Sequence, residues 1–287
     1  CDIVIIGGGM VGLSLAHQLI ENKKYNKIIL LDKESSLGLH SSGRNSGVLH
    51  AGLYYKPDTL KAKVCVTGSR RLREWVEERS LPINPCGKVI VAQTTELDSQ
   101  LDLLASRGRA NGAKVEFLDS NQLKELIPEA RSVSNRAIWS PNTVVVKPIS
   151  IIRHLKDELS ERGVTFYYEN NILQSKLNKK SIELYSGQTL DYGHLFNCAG
   201  LFADKVAHQF GIGCNYKIVP FKGLYWKLKS GCPIKLRTNL YPVPDLNMPF
   251  LGVHFTPSAD IKPIISIGPT ATLGLGRENY RGFNGLD

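Results

Sequence analysis

Ile3-Val4-Ile5-Ile6-Gly7-Gly8-Gly9-Met10-Val11-Gly12 decides the fold. Four consecutive branched apolar residues read as a buried strand, and the glycines that follow turn the chain sharply. Apolar positions then recur at Val11, Leu15, Ala16, Leu19 and Ile20, the spacing of one helix face. A second apolar run, Ile28–Leu31, ends in Asp32. The whole is a β-α-β unit of about thirty residues. Gly7, Gly9 and Gly12 satisfy GxGxxG: the first permits the tight turn, the second lets a pyrophosphate approach the backbone, and the third lets helix and strand pack closely. The helix N-terminus supplies free N–H groups and partial positive charge for phosphates. Asp32 is placed to accept from ribose hydroxyls and disfavours a 2′-phosphate. The unit predicts a bound dinucleotide, and NAD and FAD share it.

Working outward, a Gly/Ser-rich segment from His40 to Tyr55 has no periodicity and reads as a functional loop. Helices are predicted over 61–78, 96–111, 120–127 and 149–161, and strands over 86–92 and 164–168. The apolar run Leu195–Cys198 enters Ala199-Gly200. Those small side chains suit either a cofactor laid across strand ends or an ordinary strand ending in a turn. From Tyr216 the pattern is β-rich, with strands expected at 216–219, 224–228, 240–243, 250–255 and 264–267. The fold class expected is α/β with an α+β second domain: a Rossmann-like domain (1–85, 149–215 and 268–287) interleaved with a mixed-sheet substrate domain (86–148 and 216–267).

At 287 residues the chain exceeds one average domain. No apolar run reaches the roughly 20 residues that span a bilayer. The formal net charge of +10 suits an anionic substrate or peripheral contact with an anionic membrane. Nucleic acid is not expected, because no basic run interleaves with aromatics. Six cysteines, at positions 1, 65, 86, 198, 214 and 232, show neither CxxC nor zinc-ligand spacing. Free thiols and no metal are expected, and a reducing compartment with them.

Several segments together are similar to the D-amino-acid-oxidase-like FAD oxidoreductases, and within them to the L-2-hydroxyglutarate dehydrogenase/oxidase family. They are the opening fingerprint, Gly43–Pro57, Leu60–Cys65, Cys86-Gly87-Lys88, Asn197–Gly200, Pro220–Gly223, Tyr241–Asp245, Pro249–Thr256 and Gly268–Ala271. The resemblance covers essentially the whole chain. It implies FAD as cofactor and oxidation of L-2-hydroxyglutarate to 2-oxoglutarate. Electrons would pass to a quinone, an electron-transfer protein or oxygen. The location implied is cytoplasmic or peripheral on the inner membrane, and mitochondrial in a eukaryote. Family members continue past the position of Asp287, so the resemblance implies a C-terminally shortened chain. Other expectations compatible with these residues are a glycerol-3-phosphate dehydrogenase-like or amino-acid oxidase-like enzyme, or an inactive FAD-binding fragment.

The reaction needs a base for the hydroxyl proton and cations or N–H and O–H donors for two carboxylates, while redox chemistry belongs to the cofactor. A histidine suits the base, and His50 and His254 both lie in subfamily segments. Arg44, Lys61 and Lys222 are the candidate carboxylate cations, and Tyr54, Tyr55 and Tyr241 the hydroxyl donors. His40 is expected at the surface. Beyond Gly7, Gly9, Gly12 and Asp32, the resemblance implies cofactor contacts from Lys33, Ser42, Asn45, Ser46, Gly47, Ala199 and Gly200.

Overall fold

The structure is a computed structural model that describes all residues except Ser230, Lys235, residues 246–251, Phe283, Asn284, Leu286 and Asp287. The chain divides into two compact units: 1–45, 148–221 and 273–287 form one, 46–147 and 222–272 the other. Residues 46–85, read above with the nucleotide domain, cluster with the second unit.

The first unit is built on a four-stranded parallel sheet in the order 194–197, 3–6, 28–31, 165–167. Ile3–Ile6 and Ile28–Leu31 are buried along their whole length, as a sheet covered on both faces requires. Val4, Ile6, Ile29 and Leu31 pack on Ile172, Ile182, Leu184 and Leu190 of a three-stranded antiparallel sheet. Helix Met10–Glu21 buries Gly12, Leu13 and Ala16. Helix Pro148–Glu161 buries Ile151, Ile152, Leu155 and Leu159. The central strand Ile3–Ile6 has one neighbour following it in sequence and one from far downstream, so a crevice opens at the carboxyl ends of the strands.

The second unit carries a seven-stranded mixed sheet in the order 221–227, 265–273, 254–257, 239–242, 88–91, 136–140, 116–119. Lys88–Val91 runs parallel to Asn239–Pro242 and antiparallel to Arg136–Ser140. Side chains alternate faces with a period of two. Ile90, Ile138, Tyr241 and Val243 therefore meet Leu101, Leu104 and Ala105 of helix Asp98–Ala110. Val89, Val91 and Leu240 belong to the opposite face with Leu123, Ile127 and Leu236. A small sheet pairs Val48-Leu49 and Ile83-Asn84 with Val144–Val146. The strand expected at 250–255 begins, among the described residues, at His254, and part of the Pro249–Thr256 segment lies outside them.

Candidate functional site

In the first unit the glycine turn, Asp32 and residues 38–42 enclose one side of a cavity of about 410 Å³ at the carboxyl ends of the strands. Gly7, Gly9, Asp32, Lys33, Ser42, Ala199 and Gly200 line it, together with His40, Cys198, Phe202 and Lys205. Gly7 has φ +104°, and a Cβ there would sit 2.3 Å from the Cys198 carbonyl oxygen. The turn therefore lies directly against the end of strand His194–Asn197. Gly12 is one layer behind the cavity, where a Cβ would meet the Gly7 carbonyl oxygen at 2.0 Å. Gly8, outside the fingerprint's three positions, is also closely packed, since its Cβ would meet the end of the Leu37 side chain at 2.3 Å.

Gly9 caps helix Met10–Glu21 without a side-chain hydrogen bond of its own, and the first turn of the helix carries no acid. Ser42 Oγ accepts from the Met10 N–H at 2.9 Å and brings the Ser41-Ser42 loop to the helix end. Asn45 braces that loop by donating to the carbonyls of Ser41 and Ser42. Asp32 accepts from the Gly8 N–H at 2.7 Å and from the Glu34 N–H at 3.0 Å. A carboxylate has about four acceptor positions, so a ribose hydroxyl can still be met. A turn of three glycines, a helix start with no acid in its first turn and an acid at the second strand's end fit an FAD pyrophosphate and ribose.

Around this cavity, Lys33 pairs with Glu34 and Glu278. His40 faces Tyr280 Oη at 2.7 Å and Glu34 at 2.9 Å, so both ring nitrogens are engaged and the ring is part of the cavity wall. Arg44 lies over the Tyr280 ring at 4.0 Å, with its Nε donating to the Leu39 carbonyl. Arg277, which the sequence reading passed over, forms a buried two-pronged pair with Asp204. That pair holds the Asp204 carboxyl far below the usual carboxylate range, helped by N–H bonds from Ile218 and Lys205.

The second unit brings His50, Tyr54, Tyr241 and His254 together. Val48-Leu49, pinned to Val144–Val145, delivers His50. Asn111 donates to the carbonyls of Gly52 and Tyr55 and fixes the turn bearing Tyr54. Tyr241 and His254 share the sheet face of Ile90 and stack with centroids 3.9 Å apart. The Tyr54 hydroxyl is buried and has no hydrogen-bond partner among the described residues. His254 Nδ1 lies 2.9 Å from the Gly252 carbonyl oxygen, which can only accept, so Nδ1 carries the proton. Burial lowers its pKa to about 4.

At the centre is Lys88, which no motif singled out as a site residue. It opens a central strand, has no exposed surface, and places Nζ 3.1 Å from His50 Nδ1. Its ammonium also lies over the rings of Tyr54 and Tyr241, at 4.9 and 4.5 Å. Burial pulls its pKa down to about 7. Burial, followed by the Lys88 charge, holds His50 well below the ordinary imidazole value. A lysine inside the run Lys88-Val89-Ile90-Val91 was the available signal, since an unpaired charge in a buried strand is rare.

Other expected residues stand apart from this cluster. Lys61 covers the Tyr55 ring at 4.8 Å from an exposed helix position. Lys222 lies on strand Phe221–Lys227, its carbonyl accepting from Thr272. Gly47, at φ +72°, accepts from the Val146 N–H, and neither it nor Ser46 lines the 410 Å³ cavity.

A sequence model described as FAD dependent oxidoreductase matches residues 2–285. The mitochondrial L-2-hydroxyglutarate dehydrogenase of Caenorhabditis elegans is 40% identical over 99% of this chain and 66% of its own length. The human protein of that name is 35% identical, over 99% of this chain and 63% of its own. The L-2-hydroxyglutarate dehydrogenase of Indibacter alkaliphilus is 36% identical over 98% and 70%. The chain thus spans about two thirds of the length of these relatives. Among solved structures, an FAD-bound L-alpha-glycerophosphate oxidase from Mycoplasma pneumoniae superposes with TM-score 0.81 at 22% identity, covering 99% of this chain and 75% of that one. Glycine oxidase from Geobacillus kaustophilus gives 0.79 at 19%, covering 95% and 72%. At such identities these two speak for the fold.

Proposed function

This chain belongs to the FAD dependent oxidoreductase family, and from that premise we propose that it oxidises L-2-hydroxyglutarate to 2-oxoglutarate. The observation carrying the substrate is the 35–40% identity, along nearly the whole chain, to proteins named for that reaction. The first-unit cavity, with Gly7, Gly9, Asp32, Lys33, Ser42, Ala199 and Gly200, would hold the cofactor. FAD, when bound, supplies the acceptor for the Cα hydride.

The chain's own part is to bind two carboxylates and to take one proton. His50 is the proposed base: the residue as a whole is half-buried, whereas His254 is only 4% exposed and stacked on Tyr241. Tyr54 has the buried hydroxyl that finds no partner among the described residues, the group a carboxylate would satisfy. Tyr55, Tyr241, Lys61, Lys222 and Arg44 remain proposed substrate contacts. The resulting two electrons go to a quinone, an electron-transfer protein or oxygen. No helix among the described residues is long and apolar enough to cross a membrane. For a eukaryotic source the proposed location is mitochondrial, after the relatives' names.

Flavin absorbance under anaerobic conditions tests the proposal. Purified chain given FAD should bleach with L-2-hydroxyglutarate and not with its D-enantiomer, glycerol 3-phosphate or glycine. Bleaching by glycerol 3-phosphate alone overturns the substrate, and failure to take up FAD overturns activity of this chain. His50→Ala should slow single-turnover bleaching by about 10²–10⁴, the usual contribution of a general base. An unchanged rate rejects His50.

A further inference from the structure

Lys88 is a buried amine whose position the fold specifies closely. Its strand lies between two hydrogen-bonded neighbours, and its side chain has no exposed surface. The titratable groups facing it are His50 and Tyr54 from the loop after Val48-Leu49, Cys65 from helix Leu60–Glu78, Cys86 before its own strand, and Tyr241 and His254 from neighbouring strands. Among the described residues, none is a carboxylate. Its nearest polar contact is the ring nitrogen of His50, at 3.1 Å. A lysine kept there without an anion destabilises the fold, and a lysine that does so at a histidine belongs to the chemistry of that histidine.

We propose that Lys88 determines which ring nitrogen of His50 is free. As an ammonium, Lys88 donates to Nδ1, ties up that lone pair and fixes the Nε2–H tautomer, which has no lone pair left for a substrate proton. As a neutral amine, Lys88 accepts from Nδ1–H and leaves Nε2 with its lone pair. Lys88 is thus a positioning residue acting through His50, and this inference rests on His50 as the base.

The same contact removes the energetic obstacle to His50 as a base. An imidazolium beside Lys88 and shut away from water is disfavoured, in keeping with its depressed pKa. In the relay, the substrate O–H bond breaks and its proton goes to Nε2. The Nδ1 proton passes to the Lys88 amine, which ends as an ammonium. The imidazole is neutral before and after, and the positive charge finishes on the stronger base. A pKa near 7 at Lys88 places both forms of the amine within the working range.

Nitrogen-15 NMR of histidine-labelled full-length chain, titrated from pH 5 to 10, tests the proposal without cofactor or substrate. The His50 signals, assigned by their loss in His50→Gln, should exchange Nδ1 and Nε2 character near pH 7 while the ring stays neutral. Lys88→Met should abolish that exchange, and Lys88→Arg should hold the Nε2–H form throughout. A wild-type His50 that is silent across this range, or becomes imidazolium, overturns the proposal, as does an exchange that persists in Lys88→Met. The titration curve itself is recorded on the wild-type chain, and His50→Gln serves only to assign its signals. With FAD bound, flavin bleaching by L-2-hydroxyglutarate should rise about tenfold per pH unit below 7 and level above it, and this profile should be lost in Lys88→Met. If the substrate never bleaches flavin while the tautomer exchange occurs, the function reading fails and the Lys88–His50 coupling stands.

Discussion

Replacing Gly12 by Ala, and separately Gly9 by Ala, divides the fingerprint into its packing part and its ligand part. At Gly12 an added Cβ falls 2.0 Å from the Gly7 carbonyl oxygen and 3.3 Å from Ile5, against a floor near 3.0 Å for such contacts. Helix and turn must therefore part by at least about 1 Å. The neighbour is backbone, so the strain belongs at the upper end of the 1–3 kcal/mol typical of overpacking. Alanine returns about 1 kcal/mol through its better helix propensity. The net is about 2 kcal/mol, or roughly 4–8 °C in melting temperature for a unit of this size. At Gly9 the added Cβ meets only Ser42 Oγ at 2.9 Å, a side chain able to rotate away. Losing the Ser42–Met10 hydrogen bond costs about 1 kcal/mol, but the methyl enters the cavity. Thermal unfolding of cofactor-free chain and FAD titration by fluorescence quenching read the two effects. Gly12→Ala should melt several degrees early without FAD; Gly9→Ala should melt nearly normally and bind FAD at least about tenfold more weakly. A normal melt for Gly12→Ala refutes the close-packing argument, and normal FAD affinity for Gly9→Ala removes the pyrophosphate from this turn.

Asp32→Ala deprives the Gly8 and Glu34 N–H groups of their acceptor and should lower stability by about 1.5–3 kcal/mol even without FAD; a denaturant midpoint shifted only when FAD is present would assign Asp32 to the ligand alone. Arg277→Met strands the buried Asp204 carboxylate and should cost about 3–5 kcal/mol, measurable by urea unfolding and partly recovered in the double variant with Asp204→Leu. Lys88→Met should raise the melting temperature. Because the folded-state pKa of Lys88 lies near 7 and the unfolded near 10.5, the unfolded chain binds the extra proton between those values, so wild-type stability falls as pH drops from 10.5 to 7. The gain in Lys88→Met should be full below pH 7 and fade toward 10.5; a variant less stable at pH 7 contradicts a costly buried amine. His254 acts in the same direction lower down: its pKa near 4 against 6.5 unfolded means stability is lost as pH falls from 6.5 toward 4, and His254→Gln should flatten that slope in a pH series of melts.

The sequence by itself determined the nucleotide unit. A strand, a glycine turn and an amphipathic helix interact within about thirty residues, so Ile3–Asp32 had only local alternatives to exclude, and parallel pairing of Ile3–Ile6 with Ile28–Leu31 follows from the crossover. Resemblance over longer segments added FAD and the expected residues, and His50, Tyr54, Tyr241 and His254 do meet. Tertiary structure alone decided that Lys88 stands among them, that Asp32 clamps the glycine turn, and that Asp204 pairs with Arg277. Lys88 and His50 are 38 residues apart and Asp204 and Arg277 are 73. Nothing in local periodicity records such a separation. The two-residue alternation fixes which face a strand side chain takes, but which strands lie beside it depends on sheet order. That order places Lys88–Val91 next to Asn239–Pro242, which in sequence lies some 150 residues away. A charged residue in an apolar run signals only that some group must face it; the fold decides which group does.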